Sequence, residues 1–248
     1  AAADPARARC GADTKLKVTP VDRDRRAVAA AMAAFAEAVR AYDRAGGQFP
    51  GGDEAQARRA YASARFHQAE VDYEAYLRVR FPAGLDFDPA KPAARQRSDA
   101  RLRAWIADKQ RLGTRTTAAY GALVHDVAEP THAIAAAARI GQVSQNFSDA
   151  LYTAEIPAFI RPYPEAVDAY CDALTRVAEP YEAASLDGFG ACLDASTRLG
   201  WFSSWSRLCE RELGQIEPGR FPTASELRAA PDALATLSDV ERPIARLE

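Results

Sequence analysis

A chain of 248 residues can bury a core without metal or disulfide staples, and 48% hydrophobic with 27% charged residues excludes wholesale disorder. The 32 basic and 34 acidic side chains leave a formal net charge of -2, without the basic field that general nucleic-acid binding needs. No apolar run reaches the ~18 residues of a membrane span, and no glycine-rich phosphate loop is present.

Alanine is dense, as from Ala27 to Ala38 and from Ala133 to Ala138. Ala is the best helix former, and β-branched residues are few. The lysines are Lys15, Lys17, Lys91 and Lys109 alone, while Arg is abundant. That bias points to GC-rich coding DNA, which also inflates Ala, so the helices must be read from periodicity.

The chain opens AAADPARARCGADTK, with no initiator Met and no apolar leader, which predicts a segment of a longer protein. Residues 1–23 read as a mostly extended segment. Cys10 lacks the apolar residues expected before a lipid-modified Cys. A helix begins after Asp22 or Asp24 and runs to about Arg44, with Val28, Met32, Phe35, Val39 and Tyr42 on one face. Gly46, Gly47, Pro50, Gly51 and Gly52 end it. A second helix runs from about Asp53 to Arg80. Ala60, Ala64, His67, Val71, Ala75 and Leu77 trace its inner side, with Phe66, Tyr73 and Tyr76 beside them, so His67 reads as a core histidine. In the Pro-bounded loop that follows, Leu85 and Phe87 pack inward. Asp86 and Asp88 cap the loop, since two aspartates cannot supply the six to eight oxygens of a calcium site.

Ser98 reads as the N-cap of the next helix. Leu102, Trp105, Ile106, Lys109 and Leu112 form its stripe to about Gly113, and the helical pattern resumes through Tyr120 and Val124. The span HDVAEPTH contains His125, Asp126, Glu129 and His132, all zinc-ligand types. Pro130 interrupts the helix there, so these residues cannot share one regular face, and the span reads as a polar capping turn without metal. A helix from Thr131 to about Thr153 follows, with Ile134, Ala137, Ile140, Val143, Phe147 and Leu151 near a 3.6 repeat. Three more cover about 164–178, 180–198 and 201–215. Thr223 and Glu226 form a capping box, and 231–248 is a polar tail. Residues 24–230 thus read as one domain.

The expected fold is all-α, built of antiparallel helical hairpins, because no stretch shows sustained alternation with β-branched enrichment. No nucleophile elbow, Cys-x-x-Cys or haem-attachment motif occurs, so the expectation is a non-enzyme without cofactor. Trp201, Phe202 and Trp205 form the densest aromatic cluster. Trp201, Trp205 and Leu208 fall at i, i+4 and i+7, which reads as a core stripe. A partner-binding patch is the alternative, with Phe202 pointing the other way.

Four stretches carry a family resemblance: ARFHQAEVDYEAYLRVRFPAGLDFDP at 64–89, AIAAAARIGQVSQNFSDALYTAEIP at 133–157, AYCDAL at 169–174 and STRLGWFSSWSRLCERELGQIEPGRFP at 196–222. Together they resemble the C-terminal region of tetratricopeptide-repeat proteins of the gliding-motility and cell-envelope machinery of gliding bacteria. The resemblance spans about 25–232. Ile140-Gly141 sits where such repeats place a Leu-Gly pair, but the accompanying aromatic is absent. The resemblance therefore implies a degenerate tetratricopeptide-like array with an irregular C-terminal cap. It also implies a non-enzymatic periplasmic scaffold whose partners are other envelope proteins. The alternatives are a small-molecule or metal-binding helical bundle, and a periplasmic hydrolase.

Cys171, Cys192 and Cys209 fall on three successive predicted helices. Cys171 and Cys192 are equidistant from the turn near Pro180, and Cys192 and Cys209 nearly so from the turn near Gly200. In antiparallel hairpins either pair could meet, and Cys171–Cys209 is a third pairing. The periplasmic resemblance favours oxidation. One disulfide is expected among the three, with Cys192–Cys209 preferred for its shorter turn; Cys10 makes an even total of four, which allows a second.

Overall fold

The computed structural model describes residues 8–11, 14–19, 21–46, 48–49, 53–127 and 129–222. The capping box at Thr223 and Glu226 and the tail at 231–248 lie outside them, as do Gly47, Pro50, Gly51 and Gly52. Six helices are present among the described residues: α1 (Arg25–Ala45), α2 (Glu54–Arg78), α3 (Pro92–Asp126), α4 (Pro130–Tyr152), α5 (Pro164–Leu199) and α6 (Ser204–Ile216). The fold is all-helical, and among the described residues the one β-type contact is an isolated antiparallel bridge between Arg9 and Glu155.

Helix α4 is the axis of the molecule, because three hydrophobic clusters share it. It meets Phe66, Tyr73 and Tyr76 of α2 with Tyr120 and Leu123 of α3. On another side it meets Phe189 and Cys192 of α5 with Cys209 and Leu213 of α6. Lower down, its Phe147 and Leu151 join Trp105 of α3 and Ala178 of α5. Such all-round burial needs a thin helix. The run Ala135, Ala136, Ala137, Ala138 and Gly141 supplies it, and all five are buried.

Helices α4 and α5 touch backbone to backbone. A methyl group added at Gly188 would lie 2.6 Å from the Gly141 nitrogen and 2.7 Å from its Cα. One added at Gly141 would lie 2.8 Å from the Phe189 ring. Both glycines are in helices, where they cost roughly 1 kcal/mol each relative to Ala. The close approach they permit is what offsets that cost.

Two long helices replace pairs of shorter expected ones. Helix α3 starts at Pro92 rather than after Ser98 and runs unbroken through Gly113. A proline in the first turn lacks only an N–H that would be unpaired anyway. Ser98 is buried, and its hydroxyl accepts from the Asp86 backbone N–H at 2.9 Å, so it caps the preceding loop and not the helix. Gly113 is a packing residue: a Cβ there would lie 3.3 Å from the Tyr76 ring. Helix α5 likewise runs through Pro180. Pro180 and Arg176, whose carbonyl loses its helical partner, are both exposed, so water can satisfy that oxygen. Burial of Cys171, Ala178, Phe189 and Cys192 holds the two halves in line.

The inner side of α2 also departs from expectation. Ala62, Phe66, Ala69, Tyr73 and Tyr76 face the core, while Ala60, His67, Val71 and Ala75 are exposed. His67 is therefore not a core histidine; it stacks on Phe35 of α1 at 5.1 Å. The large aromatics bury more apolar area than the alanine and histidine stripe, so they took the inner face. Helix α1 has α2 as its one helical neighbour among the described residues and buries none of its side chains fully. Asp24 caps its start and Gly46, at φ 58°, its end.

Ahead of α1 the chain forms a strap across the end of α4 and the first half of α5. The Cys10 backbone N–H donates to the Ala154 carbonyl at 3.0 Å, and the Ile156 N–H donates to the Ala8 carbonyl at 2.9 Å. The Leu16 N–H donates to Asp149 Oδ2 at 2.7 Å, and Lys15 pairs with Glu182 at 2.6 Å. Cys10 is disulfide-bonded to Cys171, and Cys192 to Cys209. Cys171 and Cys192 share one helix, 21 residues or about 30 Å apart, so no hairpin brings them together.

Gly188→Ala is expected to destabilise the fold by roughly 3 kcal/mol through overpacking. Gly190→Ala, two residues on, would add a methyl with nothing within 4 Å, and should stabilise the helix by roughly 0.5–1 kcal/mol. Chemical denaturation of both variants checks the opposite signs.

Candidate functional site

The residues singled out in the sequence do not converge on one centre. Glu129 caps α4: its carboxylate accepts from the His132 backbone N–H at 2.9 Å and lies 2.6 Å from His132 Nδ1. Burial pushes the Glu129 pKa up, but the hydrogen bonds from His132 outweigh it and hold the carboxyl below its ordinary value. His125 and Asp126 are exposed at the end of α3. No three metal-ligating side chains cluster among the described residues. Asp86 Oδ1 accepts from the Asp88 N–H at 3.0 Å, Asp88 Oδ1 accepts from the Ala90 N–H at 2.8 Å, and Lys91 pairs with both carboxylates. Leu85 is buried and Phe87 half-buried.

The aromatic trio is split by the start of α6. Ser203 is its N-cap, in a reciprocal box with Ser206, so Trp201 and Phe202 stand in the turn before the helix. Trp201 is 41% exposed and Phe202 69%. Trp201 is thus not on a core stripe, because the helical spacing counted from it begins outside the helix. Trp205, the first residue to follow Ser204, is half-buried between the core clusters, 6.0 Å from Phe66 and 4.8 Å from the Arg139 guanidinium.

Arg139 anchors a polar network that sequence inspection missed. Its guanidinium donates to both oxygens of Glu70 at 2.7 and 2.9 Å and to Gln142 Oε1 at 2.6 Å. It lies between the rings of Tyr73 and Trp205, and the Tyr120 hydroxyl donates to Glu70 at 2.5 Å. Every Glu70 oxygen and the flat faces of the guanidinium are occupied, an arrangement suited to holding α2, α3, α4 and α6 in register.

Lys109 differs from it in kind. It is only 2% exposed, and no ion pair reaches it among the described residues. Its Nζ donates to the Tyr76 carbonyl, in the last turn of α2, at 2.9 Å and to Asn146 Oδ1 at 2.6 Å, and it lies 3.7 Å from the Tyr76 ring centroid. Burial lowers its pKa to about 7. Lys109 and Asn146 sit on the inner wall of a cleft of about 400 Å³ between the strap and the α2–α3 loop. A signal was present in the sequence: Lys109 interrupts the apolar stripe of Leu102, Trp105, Ile106 and Leu112, where a charged group has to be buried.

With this geometry in place, comparison with known protein families, with characterised proteins and with solved structures finds no match.

The buried amine carries a pH signature. Its folded pKa lies below the unfolded value of ~10.4, so the unfolded chain binds more protons between the two and stability rises with pH across that window. The cost of the buried charge is complete below about pH 7. Any stability advantage of Lys109→Met over wild type should therefore shrink by on the order of 3 kcal/mol between mildly acid pH and about pH 10. Urea denaturation of both proteins at several pH values measures it.

Proposed function

We propose that this chain is a non-enzymatic scaffold segment of the bacterial cell envelope that meets a partner protein through the corner between α5 and α6. The observation that carries the reading is the exposed apolar corner of Leu199, Trp201 and Phe202, with exposures of 49%, 41% and 69%. Large aromatics held in water at a rigid turn are a common anchor for protein partners. Gly200, at φ 60°, caps α5, the Ser203 box starts α6, and Cys192–Cys209 ties the two helices below the turn. The corner is preorganised, so little entropy is lost when a partner orders it.

The same corner lies inside 196–222, the longest of the stretches that resemble the gliding-motility tetratricopeptide-repeat proteins. Helices of 35 and 36 residues are each as long as a whole ~34-residue repeat. This favours an irregular terminal cap of such an array over a run of regular repeats. Two disulfides support an oxidising compartment, which for a bacterial envelope protein is the periplasm.

Trp201→Ala with Phe202→Ala should change stability by no more than about 0.5 kcal/mol, as exposed positions do. Trp205→Ala should cost on the order of 3 kcal/mol, because it empties a site in contact with two core clusters. A photo-crosslinking side chain at position 202 in the native envelope should trap a discrete protein that the same group at exposed Val177 does not. Identical products from both positions, or none from position 202, would remove the corner as the contact.

Alkylation of the denatured, unreduced protein taken from its native location should label none of the four cysteines. Four labelled thiols would overturn the compartment.

A further inference from the structure

We propose that the cleft beside Lys109 is a binding site for a small amphiphilic carboxylate, whose head group reaches the Lys109 amine and whose tail lies against Leu16, Val18, Leu77 and Phe81. The inference is independent of the scaffold reading, since the cleft and the α5–α6 corner share no residue.

The volume of about 400 Å³ falls at the small end of sites that hold small molecules, ~300–1,000 Å³. One wall is the strap, with Leu16 and Val18, and the opposite wall is the turn after α2, with Val79 and Phe81. The floor is α4, with Asn146 and Ala150. The charged and titratable groups around it are Arg9 from the strap, Arg80 from the loop, Lys109 from α3 and Glu155 after α4, with the Tyr76 ring behind the amine. Glu155 is committed elsewhere: its oxygens accept from the Gly84 N–H at 3.0 Å and pair with Arg161 at 3.3 Å. The lining therefore presents the Lys109 amine and Asn146 on its inner wall and apolar side chains along the strap and the turn after α2.

Lys109 explains why the ligand is an anion. An ammonium has three donors, and the two acceptors that Lys109 has, the Tyr76 carbonyl and Asn146, are both uncharged. The protonated amine keeps a third donor, beside the Tyr76 ring face at 3.7 Å, and has no counter-charge among the described residues. A carboxylate supplies both an acceptor and that charge, and the apolar walls select one that carries a hydrocarbon tail.

Binding is then linked to protonation. The free amine is partly neutral near pH 7, and a bound carboxylate favours its charged form, so the complex takes up a proton. Affinity is highest below about pH 7 and falls as pH rises through the amine's pKa, provided the ligand's own carboxyl stays ionised.

Octanoate is the probe, with octanol as the uncharged control of equal length. Isothermal titration calorimetry of the oxidised full chain slightly above pH 7, in two buffers of different ionisation enthalpy, should show saturable binding of one octanoate with net proton uptake. Octanol should bind at least about tenfold more weakly, the value of one charge-assisted hydrogen bond. Lys109→Met should abolish both the preference for octanoate and the proton uptake. Ala150→Phe fills the cleft and leaves the amine in place; it should lose octanoate binding, which keeps the test decisive if the lysine variant fails to fold. Absence of saturable octanoate binding at millimolar concentration overturns the proposal. So does equal binding by wild type and Lys109→Met, and Lys109 would then be a cap on α2 and nothing more.

Discussion

Gly141 and Gly188 let α4 and α5 approach until their backbones touch, and the arrangement of the other helices depends on that contact. With α5 seated so closely, the Phe189 ring fills the space over Gly141, and α6 closes over the same cluster through Cys209 and Leu213. The alanine run of α4 lets α2 and α3 pack on its other faces. A single side-chain carbon at the crossing would separate the helices and loosen each of those contacts, since packed interiors have little free volume to absorb it.

A core assembled around a thin helix leaves wide spaces at its margins, and aromatic side chains fill them. Trp105 stacks on Phe147, with ring centroids 5.3 Å apart, and Phe147 meets Tyr181 at 4.2 Å. Phe66 lies against Tyr120 and Trp205. The polar ends of the tyrosines need partners inside the protein: Tyr76 donates to the Val143 carbonyl at 2.7 Å and Tyr120 to Glu70. Arg139 completes that arrangement with a matched carboxylate, whereas Lys109, among the described residues, is held by the neutral Tyr76 carbonyl and Asn146. The two buried cations thus have different energetics: one is compensated by its own protein, and the other is left to neutralise or to find an anion.

The covalent ties act on the periphery of this core. Cys10–Cys171 fastens the strap to the first half of α5, where a separate small cluster of Ile156 and Val167 forms. Cys192–Cys209 closes the hairpin of α5 and α6 around a short loop. Asp149 lies under the strap, where burial raises its pKa and the Leu16 and Lys15 backbone N–H groups oppose that rise. The strap, in turn, forms the outer wall of the Lys109 cleft, so the first disulfide also bounds the cleft's shape.

The all-helical character was legible in the sequence, because it rests on local preferences: alanine density, the 3.6-residue stripes of α1 and α4, and capping at Asp24 and Gly46. Helix continuity was not. Gly113 and Pro180 are breakers by local rules, yet one was needed for contact with Tyr76 and the other lies on a solvent face, and only the packed neighbours distinguish those cases from true ends. The continuity of α5 separates Cys171 from Cys192, and folding of the strap then brings Cys10 to Cys171 across 161 residues, a distance that no local pattern encodes. The inner face of α2 shows the same limit. Two stripes of similar periodicity competed, and the aromatic one is inside because it fills the space beside a thin α4. Helical spacing placed Lys109 in an apolar stripe, but its neutral partners and the cleft beside it arise where α2, α3, α4 and the strap meet, so the character of that site was decided by tertiary structure.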